Sequence, residues 1–351
     1  MSQKEQEILK QPVTDRSAWR VADLEGDKSW IYELAVQALS EIDDALASVK
    51  QRGIPLYDIK KADFELPTLG ATLSQAAEEL ENGRGIVVLR RVPVEKYSVE
   101  DARIVIWGIG THWGEAISQN ARGERLCSVM DQGREYGALG RGYQTSARLD
   151  FHSDNADVAA LLFLTKAKRG ATSLVTSATS IYNELLKNHP EYLDTLYRGF
   201  LWGLRGEGGE GAPEFSDHLI PLYSYFAGKL SARFGRNGIE LGSAASNQPL
   251  SERDVELLDY LDELALRPDL CFQDEFGPGD IQVVNNHTIL HARTDYEDYP
   301  EPERRRHALR LWINLYKGRP LKKEFSQRYG PRSGRLGVPP VEHPPEHLAV
   351  S

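Results

Sequence analysis

Residues 277–293 read GPGDIQVVNNHTILHAR, a turn rich in glycine and proline, an apolar run and then a histidine, His291. A short run of Val and Ile after such a turn is typical of a buried β-strand, so the stretch predicts a strand that delivers a histidine. Similar apolar runs between turn residues recur at 158–164, 173–175 and 309–315. Many short strands with few helices between them predict a mainly β fold with flanking helices, a sandwich or a barrel.

The composition excludes several classes of protein. The 351 residues are 40% hydrophobic and 27% charged, as in ordinary globular proteins. A net charge of −10 predicts that the protein binds neither nucleic acid nor a membrane surface, because both carry negative charge. Two isolated cysteines, Cys127 and Cys271, fit neither a disulfide scaffold nor a zinc cluster. Without a signal peptide or a long apolar run, we expect a cytoplasmic protein, and a homo-oligomer stays open.

The spacing of apolar residues divides the chain into one large domain and its two extensions. Helices are expected at 31–53, 74–81, 99–113, 178–199 and 251–266, and further strands at 85–89 and 126–130. Residues 1–80 are interpreted as a polar, weakly packed arm (1–30) and a helical layer on the core, and 81–330 as the β domain. The tail 331–351 is rich in Pro and Gly and is expected to be extended.

The segment 150–155, DFHSDN, contains a candidate metal-binding motif. In a strand, His152 and Asp154 project to the same side while Ser153 points away, so an imidazole and a carboxylate can chelate one ion. A surface or capping His-x-Asp is common, and the motif taken alone favours that simpler interpretation.

A run of arginines follows the histidine of the opening stretch. If 304–312 ends in a strand, Arg306 and Arg310 share one face because their offset of four is even. The opposite, buried face would carry Leu309, Leu311 and Ile313. Two inward guanidinium groups are costly unless each meets an anion, and carboxylates match them in a bidentate fork. The alternative is a solvated run feeding a surface strand, which fits Arg304 and Arg305.

Two histidines and one carboxylate on one face of a metal suit non-haem Fe(II) oxygenases. With an arginine fifteen residues beyond the second histidine, the chain resembles the taurine dioxygenase family of Fe(II)/2-oxoglutarate-dependent oxygenases, including its clavaminate-synthase-like branch. The resemblance runs from about residue 85 to 316. It is strongest in FHSDNADVAALLFL (151–164), KRGATSLVTSATSIYNEL (168–185) and the segment from PGDIQVVNNHTILHAR to RRRHALRLWI (278–313).

The resemblance implies a double-stranded β-helix, a cupin-like jelly roll with iron at its mouth. Matching positions imply His152, Asp154 and His291 as iron ligands, and Arg306 and Ser173 as the residues that bind the distal carboxylate of 2-oxoglutarate. The implied reaction consumes O2 and 2-oxoglutarate, releases succinate and CO2, and hydroxylates, desaturates or cyclises the substrate. Because the interval from His291 to Arg306 is longer than in taurine dioxygenase, a taurine or sulfonate substrate is not inferred from the resemblance.

The substrate is expected to be a small carboxylate-bearing molecule, with an amino acid or derivative as the leading case. Arg310 matches a position that grips an acidic substrate group in several relatives, and Gln144 and Asn155 are weaker candidates beside the metal motif. Arg293 could face the pocket or form a salt bridge with Asp295 or Glu297, and the salt bridge is the expected outcome.

Two other interpretations stay open. A non-catalytic protein on the same fold could hold a metal or a small molecule, and a zinc or manganese cupin could be a hydrolase or isomerase. The second would have no need of Arg306 and Ser173. His287 shares the strand face of His291 but is expected to lie too far away to join the same ion.

Overall fold

The short apolar runs form two β-sheets with helices outside them. The computed structural model describes residues 7–133, 142–205, 207, 213–326 and 337–340. Its strands are β1 (Ile31–Glu33), β2 (Ile86–Arg90), β3 (Gly114–Ala116), β4 (Leu126–Val129), β5 (Leu149–His152), β6 (Val158–Thr165), β7 (Arg169–Gly170), β8 (Ser173–Ser177), β9 (Tyr223–Phe226), β10 (Lys229–Ala232), β11 (Cys271–Asp274), β12 (Ile281–Asn285), β13 (Ile289–Arg293), β14 (Tyr296–Glu297) and β15 (His307–Leu315).

The helices of the described residues flank these strands. They are α1 (Val21–Gly26), α2 (Val36–Arg52), α3 (Leu69–Asn82), α4 (Val99–Gly110), α5 (Ala178–Asn188), α6 (Leu193–Arg198), α7 (Arg236–Ser246), α8 (Glu252–Leu266) and α9 (Lys323–Ser326). Local sequence defines several of the ends: Ser98 caps α4 by accepting the backbone N–H of Asp101. None of these helices is long and apolar enough to span a bilayer.

Two larger sheets build the core as a double-stranded β-helix, which confirms the predicted fold class. The larger sheet has the order β1-β2-β12-β6-β15-β3, with β4 also paired to β15, and the smaller has the order β11-β8-β13-β5. Apart from the parallel pair β1–β2, neighbouring strands in both sheets run antiparallel. Both sheets are open and neither closes into a barrel.

Strand alternation separates the core into layers. In β15, the odd-numbered residues pack against the outer helices, whereas Ala308 and Trp312 join the cluster between the two sheets. The odd-numbered residues of β15 in that outer cluster are Leu309, Leu311, Ile313 and Leu315. The outer cluster of the large sheet includes residues of α2, α3 and α4, and the outer cluster of the small sheet includes residues of α5, α6 and α8. The interior between the sheets therefore holds this third apolar cluster, and the charged residues of the site lie beside it.

The N-terminal region differs from the sequence prediction. Residues 31–33 form β1 instead of the first turn of a helix, and α2 begins at Val36. The expected weakly packed arm is wrong over the described residues, because Trp19, Leu24 and Trp30 are almost fully buried. Indole rings supply enough apolar area to hold a polar segment on the core. Residues 1–6 lie outside the described part of the chain.

Helix α7 was not predicted from the sequence. The C-terminal tail can be compared with its prediction only over the described residues 337–340. Within that tail, Gly337 pairs with Ser118 and Val338 is fully buried. The prediction for 331–336 and 341–351 lies outside the described residues.

Leu73→Ala tests whether the helical layer and the large sheet share one core. Leu73 in α3 is fully buried in the cluster that contains the outer face of the sheet, so its loss should cost about 2–5 kcal/mol of unfolding free energy. Val36→Ala, at a side chain 76% exposed, is the control and should change it by less than about 0.5 kcal/mol. Urea unfolding followed by tryptophan fluorescence measures both, and equal midpoints would contradict the shared core.

Candidate metal centre and its two chambers

Strand pairing brings the three predicted metal ligands together. His152 ends β5, and the register between β5 and β13 places it directly opposite His291. Asp154 follows two residues later, so its carboxylate lies 3.9 Å from Nε2 of His152 and 3.7 Å from Nε2 of His291. One donor atom from each of the three residues lies within 4.8 Å of the other two. This His-Asp-His group is called the triad below.

Hydrogen bonds orient two members of the triad. Nδ1 of His152 lies 2.8 Å from the carbonyl of Asp150, and because a carbonyl only accepts, Nδ1 carries the proton and Nε2 offers its lone pair. The backbone N–H of Asp154 donates to Oδ1 of Asn286 at 2.9 Å. The indole N–H of Trp312 donates to Oδ2 of Asp154 at 2.8 Å. The ligand atoms are therefore positioned by the protein itself.

The electrostatics favour binding of a cation at the triad. Burial would raise the pKa of Asp154, but Arg310 and the two histidines outweigh it and lower that pKa to about 2. Burial, aided by His152 and Arg310 and opposed by Asp154, lowers the pKa of His291 to about 3. At neutral pH the site thus offers an ionised carboxylate and a neutral imidazole, the forms that bind metal. The two-nitrogen, one-oxygen donor set fits Fe(II).

An inner chamber beside the triad buries positive charge without a matching carboxylate. Arg306 is 4% exposed and lies over the rings of Phe163 and Tyr296. Its Nη1 donates to the carbonyl of Val129 at 3.4 Å, and no carboxylate of the described residues forms an ion pair with its guanidinium. Burial lowers the pKa of Arg306, yet arginine stays charged at neutral pH. A buried cation of this kind calls for an anionic ligand.

Ser173 lies in the wall of the same chamber. Its hydroxyl is 3.0 Å from Nε2 of Gln282, which donates to it across the space between the sheets. The pairing of β8 with β13 places Ser173 opposite Arg293. The structure therefore brings Ser173, Arg293 and Arg306 to one chamber with His291.

The expected salt bridge of Arg293 is wrong. Arg293 turns inward and donates to the carbonyls of Thr145, Ala147 and Thr294, while Glu297 pairs with Lys168 and Arg169. Burial and the charge of Arg306 lower the pKa of Arg293 to about 10. These carbonyl partners, two of which come from a distant segment of the chain, decide the orientation of Arg293.

Arg310 stands between the inner chamber and an outer cleft, and lines both. Its Nε donates to Gln119 at 2.8 Å, and its Nη1 lies 3.7 Å from Oδ2 of Asp154. The guanidinium lies between the rings of Tyr143 and Trp312, 4.8 and 4.9 Å from their centroids. Nη2 is buried and has no hydrogen-bond partner among the described residues. That nitrogen can therefore donate a hydrogen bond to a ligand.

The two weaker candidates for substrate binding already form hydrogen bonds within the protein. Asn155 lines the outer cleft, but its Oδ1 accepts from Arg233. Gln144 is 2% exposed and donates to Gln132 at 3.1 Å. The outer cleft is also lined by residues after β8: Trp202, Arg205, Glu207, Phe234, Gly235, Arg236, Asn237 and Gly238.

His287 stays apart from the triad. Its Nε2 lies 2.9 Å from Asp157, and both side chains are almost fully buried. The expected separation from the metal motif agrees with this contact.

Sequence reasoning missed Gln119, Asn286 and Trp312. Gln119 is fully buried, and its amide nitrogen also donates to the carbonyls of Arg125 and Arg310 at 2.8 Å. The even offset of Trp312 from Arg310 was a usable signal, because it places both on one face of β15. Gln119 and Asn286 lie in connections between strands and carry no such periodicity.

The chain is similar to several known proteins. It is 38% identical over 332 residues to FR-33289 synthase from Streptomyces rubellomurinus, covering 92% of this chain and 97% of that protein. It is 29% identical over 314 residues to the taurine hydroxylase-like protein SAT17 from Stachybotrys chartarum, covering 85% and 79% respectively.

Solved structures share the fold. Asparagine oxygenase in complex with Fe(II), hydroxyasparagine and succinate matches with a TM-score of 0.64 at 16% identity, covering 81% of this chain and 93% of that one. The non-haem iron oxygenase OrfP with Fe and α-ketoglutaric acid matches with a TM-score of 0.58 at 13% identity, covering 81% and 94%. The family model described as "Taurine catabolism dioxygenase TauD, TfdA family" matches residues 50–312. The chain therefore belongs to the TauD/TfdA family of dioxygenases.

Proposed function

We propose that this protein is an Fe(II)/2-oxoglutarate-dependent oxygenase that acts on a C–H bond of a small carboxylate-bearing substrate, an amino acid or a derivative. One observation carries the proposal: the triad lies between a chamber that buries the unpaired Arg306 and a cleft that ends at Arg310. Two separate cationic positions on either side of one metal site suit two different anions.

His152, Asp154 and His291 would hold the iron. Bound Fe(II) with 2-oxoglutarate and O2 supplies the oxidising power, and succinate and CO2 are released. The protein contributes fixed ligand geometry and a site shielded from water. The bond from His152 to the carbonyl of Asp150 keeps Nε2 unprotonated, so the ring needs no rearrangement to bind.

In this proposal the inner chamber binds 2-oxoglutarate. Arg306 and Ser173 hold the distal carboxylate, and the hydrogen bond from Gln282 orients the Ser173 hydroxyl. Phe163 and Tyr296 exclude water from the guanidinium of Arg306, which strengthens its attraction to an anion. The chamber is therefore suited to a dianion that reaches from Arg306 to the metal.

The outer cleft would bind the prime substrate. The unpartnered Nη2 of Arg310 is the anchor for a carboxylate, and Gln119 holds the guanidinium in that orientation. Asn155 and Gln144 would shape the wall through their bonds to Arg233 and Gln132. Fold neighbours that contain 3-hydroxyasparagine and (3S)-hydroxy-L-Arg make amino acids the first class to test. We place this activity in the cytoplasm.

Metal binding can be measured without any substrate. Zn(II) at about 100 times its Kd should stabilise the apoprotein by about 2.7 kcal/mol, because only the folded state presents the triad. His291→Ala should lose this stabilisation, whereas His189→Ala, at a half-buried histidine paired with Glu191, should keep it. Thermal unfolding with Zn(II) or with EDTA measures the difference. Equal stabilisation of His291→Ala and the wild type would contradict the triad as the metal site.

The two arginines should affect different ligands. Anaerobic protein with saturating Fe(II) should develop a visible charge-transfer band on titration with 2-oxoglutarate. Arg306→Ala should raise the 2-oxoglutarate concentration needed by about tenfold or more, because a hydrogen bond to a charged group contributes about 1.5–3 kcal/mol. Arg310→Ala should leave that concentration nearly unchanged and reduce substrate-stimulated succinate formation across a panel of amino acids and small carboxylic acids.

Arg304→Ala is the matched control, since Arg304 is exposed and pairs with Glu301. Its band and its succinate formation should equal those of the wild type. If the wild type gives no band, and no succinate in air with any compound of the panel, the oxygenase assignment is wrong. Equal effects of Arg306→Ala and Arg310→Ala on the 2-oxoglutarate requirement would contradict the separate roles.

A further inference from the structure

The indole of Trp312 contacts a metal ligand directly. Its Nε1–H donates to Oδ2 of Asp154 at 2.8 Å, and both side chains are largely buried. An indole N–H can donate but not accept, and it does not titrate. The hydrogen bond therefore persists at any pH at which Asp154 is ionised.

The two oxygens of Asp154 have unequal surroundings. Oδ2 accepts the indole N–H and lies 3.7 Å from Nη1 of Arg310 and 3.7 Å from Nε2 of His291. Oδ1 faces Nε2 of His152 at 3.9 Å and accepts no hydrogen bond from a side chain of the described residues. Lone pairs already used for a hydrogen bond and turned toward a cation are less available to a metal than free ones.

The fold fixes the indole in place. Trp312 lies within β15, in register with Ala159 of β6, and joins the cluster between the two sheets. Its ring also supports the guanidinium of Arg310, 4.9 Å from the ring centroid. A donor on a central strand is held more precisely than one on a loop, as a metal site requires.

We propose that Trp312 is a positioning residue that occupies Oδ2 of Asp154 and so reserves Oδ1 for the metal. This inference rests on the proposed function only in taking the triad as the metal site. Without the indole N–H, the carboxylate could rotate or present either oxygen, and the metal would lose a fixed ligand. Arg310 would keep its contact with Oδ2, but at 3.7 Å this is a longer and weaker contact than the hydrogen bond.

Trp312→Phe tests the inference because it removes the N–H and keeps an aromatic ring beside Arg310. Loss of such an outer hydrogen bond typically weakens metal binding by about 10–100-fold, so the Kd of the apoprotein for Zn(II) should rise by at least about tenfold. At saturating Fe(II), the 2-oxoglutarate concentration that gives half of the charge-transfer band should stay within about twofold of the wild type. A purely structural role would not separate these two quantities.

Trp113→Phe is the matched control. Trp113 is 2% exposed, and its indole N–H donates to the carbonyl of Leu73 at 3.0 Å, away from the triad. This variant removes one indole hydrogen bond of equal burial and should bind Zn(II) with the wild-type Kd. A folded Trp312→Phe protein with the wild-type Kd would overturn the inference.

A measurement on the unmodified indole covers the case in which Trp312→Phe does not fold. The chain has six tryptophans. In the ¹⁵N-labelled apoprotein, Zn(II) should shift the indole resonance of Trp312, assigned by elimination from single Phe variants of the other five. An unmoved Trp312 resonance at saturating Zn(II) would overturn the inference. Zn(II) binding that depends on Trp312, in a protein without oxygenase activity, would support the inference and refute only the proposed function.

Discussion

The buried carboxylate of Asp154 is the charge around which the site is arranged. An ion removed from water needs close compensation, and here it comes from Arg310 and from the indole N–H of Trp312. The same neighbours hold the carboxylate ionised, with a pKa of about 2. A divalent metal between the three ligands would complete this compensation.

The space between the sheets collects positive charge, opposite in sign to the net charge of the chain. The net charge of the chain is −10, yet the space between the sheets collects Arg293, Arg306 and Arg310. Arg293 donates hydrogen bonds to backbone carbonyls. Arg306 donates to one backbone carbonyl and otherwise lies against aromatic rings. The overall charge argues against phosphate-rich partners, but it says nothing about an interior cavity that attracts small anions.

The layered fold supplies enough apolar burial to offset the cost of burying the carboxylate and the arginines. Apolar residues on the outer faces of the two sheets pack against helices, so the folded chain keeps large cores that do not include the site. The space between the sheets can then hold charged groups beside its own apolar cluster. Arg310 links the two chambers, since it lines both and touches the metal ligand between them.

The sequence by itself predicted the main apolar strands and the inward phase of Arg306 and Arg310, because strand alternation is a local property. The three residues of the triad were implied by the resemblance to a known family. It could not predict that Trp312 reaches Asp154, 158 residues away, or that Gln119 holds Arg310 across 191 residues. Those contacts depend on which strands become neighbours and in what register, and only the packing of the whole chain fixes that. The same reason explains the wrong prediction for Arg293, whose partners come from a segment almost 150 residues earlier in the chain.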